Sequence, residues 1–307
     1  MEGCPNNPFP STVISDWTFL DSTAERSVCP LCRKSRKYFC YTCLIALPHI
    51  ADRIPKIQLP VTVDIIKHPN EIDGKSTSCH AAVLAPNDVR VFTYPCIPDY
   101  DPQKTVLVFP SEDSVSLDNL KLKLKDKLKL EKEISTLQTQ PTKYSFATVH
   151  SGSSDGGASL GSENNAKDLQ QNQETIRRKR CHEQNSQTED LNESPFKQAK
   201  LCSKIPFEKV VLIDSTWNQT RNIASDERLK SLTKVELKSQ NTNFWRRQEG
   251  IPKSYLSTIE AIYYFVRDVH TIFLETEYAN EYDNLLFFFC FMYNKIQSSK
   301  NNVKKKK

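Results

Sequence analysis

The chain has 307 residues, a formal net charge of only +5, and 38% hydrophobic residues. That hydrophobic share is low for a fully packed protein of this size, so part of the chain is expected to remain unfolded. The start "MEGCPNNPFP" lacks the cationic and apolar regions of a signal peptide, and the longest apolar stretch, "LLFFFCFMY" from Leu285 to Tyr293, is far shorter than the roughly 20 residues of a membrane span. It reads as a buried core helix in a soluble intracellular protein with no membrane partner.

The first element is "CPLCRKSRKYFCYTC", in which Cys29, Cys32, Cys40 and Cys43 form two C-x-x-C knuckles. Each knuckle lets two thiolates approach one ion from a tight turn, and two complete a tetrahedral zinc shell. Redox activity is the weaker alternative, because one C-x-x-C would suffice. Arg33, Lys34, Arg36 and Lys37 lie between the knuckles beside Tyr38 and Phe39. Cations beside aromatics on a rigid loop suit a phosphate backbone and an unstacked base; a solvated basic face is the competing reading. The remaining cysteines read as ordinary thiols.

"LPVTVDII" and "TVLVFP" follow as strands, being β-branched and closed by turn residues. In "SVSLDNLKLKLKDKLKLEKEIS", Leu117, Leu120, Leu124 and Leu128 share one helical face. From 137 to 203 the chain is polar, rich in Ser, Gln and Asn and poor in aromatics, which predicts a disordered insertion. Order resumes with the strand "IPFEKVVLID", then helices near Ser257 and Glu281. The expected division is a clip segment at 1–48, two half-domains at 49–136 and 204–300 flanking the insertion, and a basic tail at 301–307. Strand followed by helix on both sides of the insertion predicts an α/β fold.

Three apolar runs end in polar clusters: "IIKHPNE" with His68 and Glu71, "VFPSEDS" with Ser111 and Glu112, and "LIDSTW" with Asp214, Thr216 and Trp217. Ligands of open α/β sheets bind beyond the carboxyl ends of strands, so these clusters can converge on one crevice. "SYLSTIEA" adds Ser257, Thr258 and Glu260. That pattern is a common helix start, and it is also a place where an anion can dock. Arg246 and Arg247 beside Trp245 read as an RNA contact or as surface charge, and "RRKR" at Arg177 to Arg180 reads as a nuclear localisation signal.

Taken together, the cysteine knuckles, "HPNE", "KSTS", "VFPSED", "IDSTW" and "YLSTIEA" occur in an order that resembles the DTW-domain family. The resemblance implies a fold related to the knotted SPOUT α/β class. It also implies a tRNA-uridine aminocarboxypropyltransferase, acting from S-adenosylmethionine on N3 of a D-loop uridine (U20) and releasing methylthioadenosine. The long insertion departs from bacterial members, and disordered loops are tolerated. On this reading tRNA is the partner, not DNA, and zinc is structural. Asp214 is the candidate base or the holder of the methionine ammonium, oriented by Thr216, with Trp217 stacking on adenine or uracil. Glu260 is the competing base. Ser257 and Thr258 help hold a carboxylate, and His68, Glu71, Ser111 and Glu112 line the cofactor crevice. An RNA methyltransferase and a zinc-stabilised RNA-binding module are the alternatives.

Overall fold

A computed structural model describes residues 7–22, 25–138, 204–238, 240–246 and 252–305. Residues 139–203, the "RRKR" cluster with them, as well as Arg247 and the last two lysines, lie outside the described residues. Met1–Lys125 with Pro195–Lys307 forms one unit and Asp126–Ser194 a second. No helix among the described residues is long and apolar enough to cross a membrane.

Four two-residue strands make two antiparallel hairpins near the N-terminus: β1 (Ser27–Val28) with β2 (Ser35–Arg36), and β3 (Phe39–Cys40) with β4 (Ile45–Ala46). A six-stranded sheet follows, made of β5 (Thr62–Lys67), β6 (Val89–Thr93), β7 (Thr105–Val108), β8 (Val115–Ser116), β9 (Lys209–Asp214) and β10 (Thr233–Glu236). Its order is β6-β5-β9-β7-β10-β8, and every pairing is parallel. The predicted α/β class is therefore observed.

The two central strands explain the continuous apolar runs. "TVDIIK" and "KVVLID" are β-branched and buried on both faces, as parallel strands covered by helices must be. Successive side chains alternate across the sheet. Val63, Ile65, Val210 and Leu212 join the larger core, whereas Ile66, Val211 and Leu107 join a smaller one with Ile223, Leu229 and Leu232.

The helices are α1 (Ser78–Leu84), α2 (Leu117–Gln138), α3 (Trp217–Ala224), α4 (Glu227–Lys230), α5 (Thr258–Val269) and α6 (Phe287–Lys305). Ile223 and Leu229, on α3 and α4, serve the smaller core; α1 and α5 serve the larger. The predicted leucine stripe of α2 is seen in Leu117 and Leu120, both buried, with Leu124 packed partly against the same core.

The second predicted helix starts later than the sequence indicated. A 3-10 turn, Asp283–Leu286, precedes α6 at Phe287. Asp283 is fully buried there, and its carboxylate accepts from Val13 N at 2.6 Å and from the hydroxyls of Tyr263 (3.0 Å) and Tyr278 (2.6 Å). The apolar stretch at the start of α6 is core, as expected: Phe287 to Phe291 are at most 1% exposed. The N-terminal segment packs onto this helix. Phe9 meets Phe289, Phe39 meets Phe288 and Tyr38 meets Phe291, with ring centroids 5.5, 4.7 and 5.0 Å apart.

Candidate active site

Because all six strands run the same way, their carboxyl ends share one edge. The register sets Lys67 level with Asp214, and Val108 level with Leu212. The turn after β5, the β7–β8 connection and the "DSTW" segment therefore emerge side by side, as the three polar run-ends predicted. Backbone bonding reinforces this where His68 N donates to Asp214 O at 2.9 Å.

Asp214 is 5% exposed. The Ser76 hydroxyl donates to its Oδ2 and the Thr258 hydroxyl to its Oδ1, both at 2.6 Å. Ser76 Oγ in turn lies 2.6 Å from Ser78 Oγ and accepts from Ser78 N at 3.0 Å. Thr77 Oγ1 accepts from Ile259 N at 3.2 Å. The "KSTS" loop, the end of β9 and the start of α5 are thus locked together through one carboxylate. In the sequence the only local signal of this role for "KSTS" is a hydroxyl cluster ahead of the small-residue helix "SCHAAVL".

Two predicted roles need correction. Thr216 does not orient Asp214. It is an exposed N-cap of α3, and its carbonyl accepts from the Thr220 hydroxyl at 2.9 Å. Glu260 is fully buried, and its carboxylate takes four donors: Thr242 Oγ1 and Asn243 N at 2.7 Å, Ser257 N at 2.8 Å and Ser257 Oγ at 2.7 Å. This is a capping box extended to a neighbouring loop. It leaves Glu260 no room to serve as a base, and it occupies Ser257. With Ser257, Thr258 and Ile259 N all engaged, the start of α5 is not an open carboxylate-binding site.

Glu71 stands differently. Its N–H donates to His68 O at 3.0 Å, closing the turn that follows β5. Burial and the neighbouring Asp214 charge push its carboxyl above the ordinary glutamate value, against the pull of Arg246, Lys67 and Lys75. Lys67 is ion-paired with Asp73. Half-buried His68 accepts from Asn70 N at 3.1 Å through Nδ1. Along the same edge, Ser111 donates to Asp113 at 2.7 Å, Asp113 pairs with Lys234 at 2.9 Å, and Glu112 is exposed. Trp217 opens α3, and its side chain lies outside the described residues.

The four predicted ligand thiols do come together. The sulfurs of Cys29, Cys32, Cys40 and Cys43 all lie within 4.8 Å of one another, with Cys32 and Cys40 at 3.5 Å. Tetrahedral zinc with bonds of about 2.3 Å places sulfurs about 3.8 Å apart, so the donor set fits that ion. The residue after each knuckle is left-handed, Arg33 at φ 60° and Leu44 at φ 58°. Each N–H thereby returns to the first cysteine of its knuckle, Arg33 N to Cys29 O at 3.0 Å and Leu44 N to Cys40 O at 2.7 Å.

Not all of the basic loop is available to RNA. Arg33 and Lys34 are exposed. Arg36 is buried, stacked 3.9 Å over the Tyr41 ring and donating to Thr42 Oγ1 at 3.1 Å. Tyr38 and Phe39, read as base-stacking residues, are core residues instead. Arg246 is exposed and donates to Lys75 O at 3.2 Å, beside the Asp214 edge. Among the remaining described cysteines Cys79 is a buried free thiol and Cys290 is buried with its Sγ 3.5 Å from Asn7 Oδ1, but Cys96 is disulfide-bonded rather than an ordinary thiol.

Residues 37–297 match the model of the DTW domain. The chain is 41% identical to the tRNA-uridine aminocarboxypropyltransferase 1 of Xenopus tropicalis, over 98% of this chain and 90% of that protein. It is 43% identical to the protein of the same name from Xenopus laevis, over 95% and 88%. For the Homo sapiens protein of that name the figures are 41%, 90% and 78%. No solved structure matches the chain. A domain match spanning most of the sequence, with relatives this similar over nearly their whole length, establishes that the chain belongs to the DTW-domain family.

Proposed function

We propose that this protein is a tRNA-uridine aminocarboxypropyltransferase. It moves the 3-amino-3-carboxypropyl group of S-adenosylmethionine to N3 of a D-loop uridine, U20, and releases methylthioadenosine. The observation that carries this reading is the Ser76–Asp214–Thr258 bridge, which gathers three family motifs at the carboxyl edge of a parallel sheet, in a chain whose curated relatives bear that activity in their name.

The sulfonium of S-adenosylmethionine activates three attached carbons, so the outcome depends on which one lies in line with the attacking nitrogen. Near-attack positioning of this kind can supply a large part of the barrier reduction. A rigid, buried frame around Asp214 suits that requirement. His68, Glu71, Ser111 and Glu112 surround the crevice, and Trp217 stacks on a base.

The fold we assign is SPOUT-related and knotted. In support, β10 lies between β7 and β8, two strands that follow each other in the chain. Zinc at the four cysteines serves structure, holding the two hairpins together so that Tyr38 and Phe39 reach the core. Arg33, Lys34, Lys37, Arg246 and Arg247 contact the tRNA backbone. The "RRKR" cluster directs the protein to the nucleus; unchanged distribution after its deletion would remove that assignment.

Mass spectrometry of nucleosides from tRNA incubated with the purified protein and S-adenosylmethionine tests the reaction. An aminocarboxypropyl-uridine peak is expected. A methylated uridine would establish a methyltransferase instead, and bound but unmodified tRNA a non-catalytic module.

A further inference from the structure

The transfer needs a group to accept the N3 proton, and the acids at the carboxyl edge of the sheet can be sorted by what already holds them. Both oxygens of Asp214 receive hydroxyls at 2.6 Å, and the residue is 5% exposed. Glu260 is fully buried under four donors. Asp73 is paired with Lys67, Asp113 with Lys234, and Glu236 accepts from Ser114 at 3.2 Å. Glu112 is exposed on the β7–β8 connection, away from the buried frame around Asp214.

Glu71 remains. It lies on the turn directly beyond β5, whose last strand residue, Lys67, is level with Asp214, and the next residue is bonded to the Asp214 carbonyl. It is half-buried and in electrostatic reach of Asp214, Arg246, Lys67 and Lys75.

We infer that Glu71 is the general base of the transfer, and that Asp214 is a positioning residue which holds the "KSTS" loop and the start of α5 around the reacting atoms. This assignment rests on the proposed reaction. In the step, the uridine N3–H bond breaks and its proton passes to a Glu71 carboxylate oxygen. The nitrogen pair forms the bond to the methionine γ-carbon. The γ-carbon–sulfur bond breaks, its electron pair returning to sulfur to give the neutral thioether. Each charge lost is matched: the sulfonium is neutralised as the carboxylate is protonated.

The environment tunes Glu71 for this work. Burial and the Asp214 charge raise its proton affinity, while Arg246, Lys67 and Lys75 keep the anionic form accessible. A base whose affinity is drawn toward the operating pH transfers protons more efficiently than an ordinary surface glutamate.

The test uses the full-length zinc-loaded protein, S-adenosylmethionine and two tRNA transcripts, one with uridine and one with 5-fluorouridine, whose N3–H is more acidic. Single-turnover rates are read across pH for wild type and for Glu71→Gln and Glu71→Asp. Wild type should rise with pH to a plateau, its midpoint above the ordinary glutamate range. Glu71→Gln should lose about 10²- to 10⁴-fold in rate, keep its affinity for tRNA and S-adenosylmethionine, and recover much of the loss on 5-fluorouridine tRNA. Glu71→Asp should fall between. A Glu71→Gln rate within about threefold of wild type would overturn the assignment, as would an equal loss on both transcripts. If the wild type itself forms no aminocarboxypropyl-uridine, the proposed reaction fails and this inference with it. An active wild type with an unimpaired Glu71→Gln fails only the inference.

Discussion

Thr258 and Asp214, 44 residues apart in the chain, meet through a 2.6 Å hydrogen bond from hydroxyl to carboxylate. Ser76, 138 residues from Asp214, supplies the matching bond to the other oxygen. Such a buried carboxylate acts as a rivet: its charge is offset by short donors from two separate segments, and each segment is placed by the same atom group.

Removing the rivet takes the carboxylate acceptor from the buried Ser76 hydroxyl and the part-buried Thr258 hydroxyl. Asp214→Ala should destabilise the protein by about 1–3 kcal/mol for the orphaned partners and abolish detectable transfer. Asp214→Asn, which can still accept one hydroxyl, should lose less stability. Thermal unfolding with and without S-adenosylmethionine checks both, and an Asp214→Ala variant as stable as wild type would sink the account.

Glu260 should behave as an architectural residue. Glu260→Ala strips four donors of their acceptor and should cost about 2 kcal/mol or more. The midpoint of the pH–rate profile should stay where it is in wild type, because Glu260 takes no proton from the substrate. A shifted midpoint would return it to the chemistry.

The four-cysteine clip, loaded with zinc as proposed, should be a condition of folding for the N-terminal segment. One zinc per chain is expected by elemental analysis. Cys40→Ser should lose the metal, because a structural zinc site needs all four protein ligands, and its binding energy, about 10–16 kcal/mol in zinc-finger peptides, is also folding energy. Because Phe39 adjoins Cys40 and packs on Phe288, loss of the metal should loosen α6, seen as faster amide exchange at Phe287 to Phe291. Unchanged exchange would show the clip to be independent of the core.

His80 gives a pH dependence with a definite sign. Burial pushes its imidazole down to about 3 from an ordinary 6.5. It sits between the rings of Phe39 and Phe288, and its Nδ1 has no hydrogen-bond partner among the described residues. The unfolded chain therefore binds the extra proton between those two values. His80 contributes stability fully above pH 6.5 and loses it as pH falls toward 3, at about 1.4 kcal/mol per unit. Urea unfolding at pH 7 and 5.5 should show a decline of roughly 1 kcal/mol that His80→Gln removes; an identical decline in the variant would refute it.

What could be read in the sequence follows from how far the deciding interaction reaches. The central strands β5 and β9 were legible because burial on both faces demands unbroken β-branched runs. The cysteine clip was legible because its chemistry is written in local spacing. By contrast β8 and β10, of two and four residues, carry too little pattern to separate them from loop. The confusion between Asp214 and Glu260 had the same origin. Each acid was visible at a motif, but the hydroxyls of Ser76 and Thr242 that distinguish bridge from cap come from distant segments. Arg36 looked like its exposed neighbour Lys34, and only the stacking on Tyr41 tells them apart.

The strand order β6-β5-β9-β7-β10-β8 interleaves the chain's two halves like the teeth of a zip. β5 to β8 precede the 139–203 stretch, β9 and β10 follow it, and β9 fills the place between β5 and β7. A ribosome that has made only the first half has produced β5 and β7 with a strand-wide gap between them, and no sheet can close until more than sixty further residues have been made. The enzyme is thus obliged to fold late and all at once, and two fragments divided within that stretch would each be incomplete until they found one another.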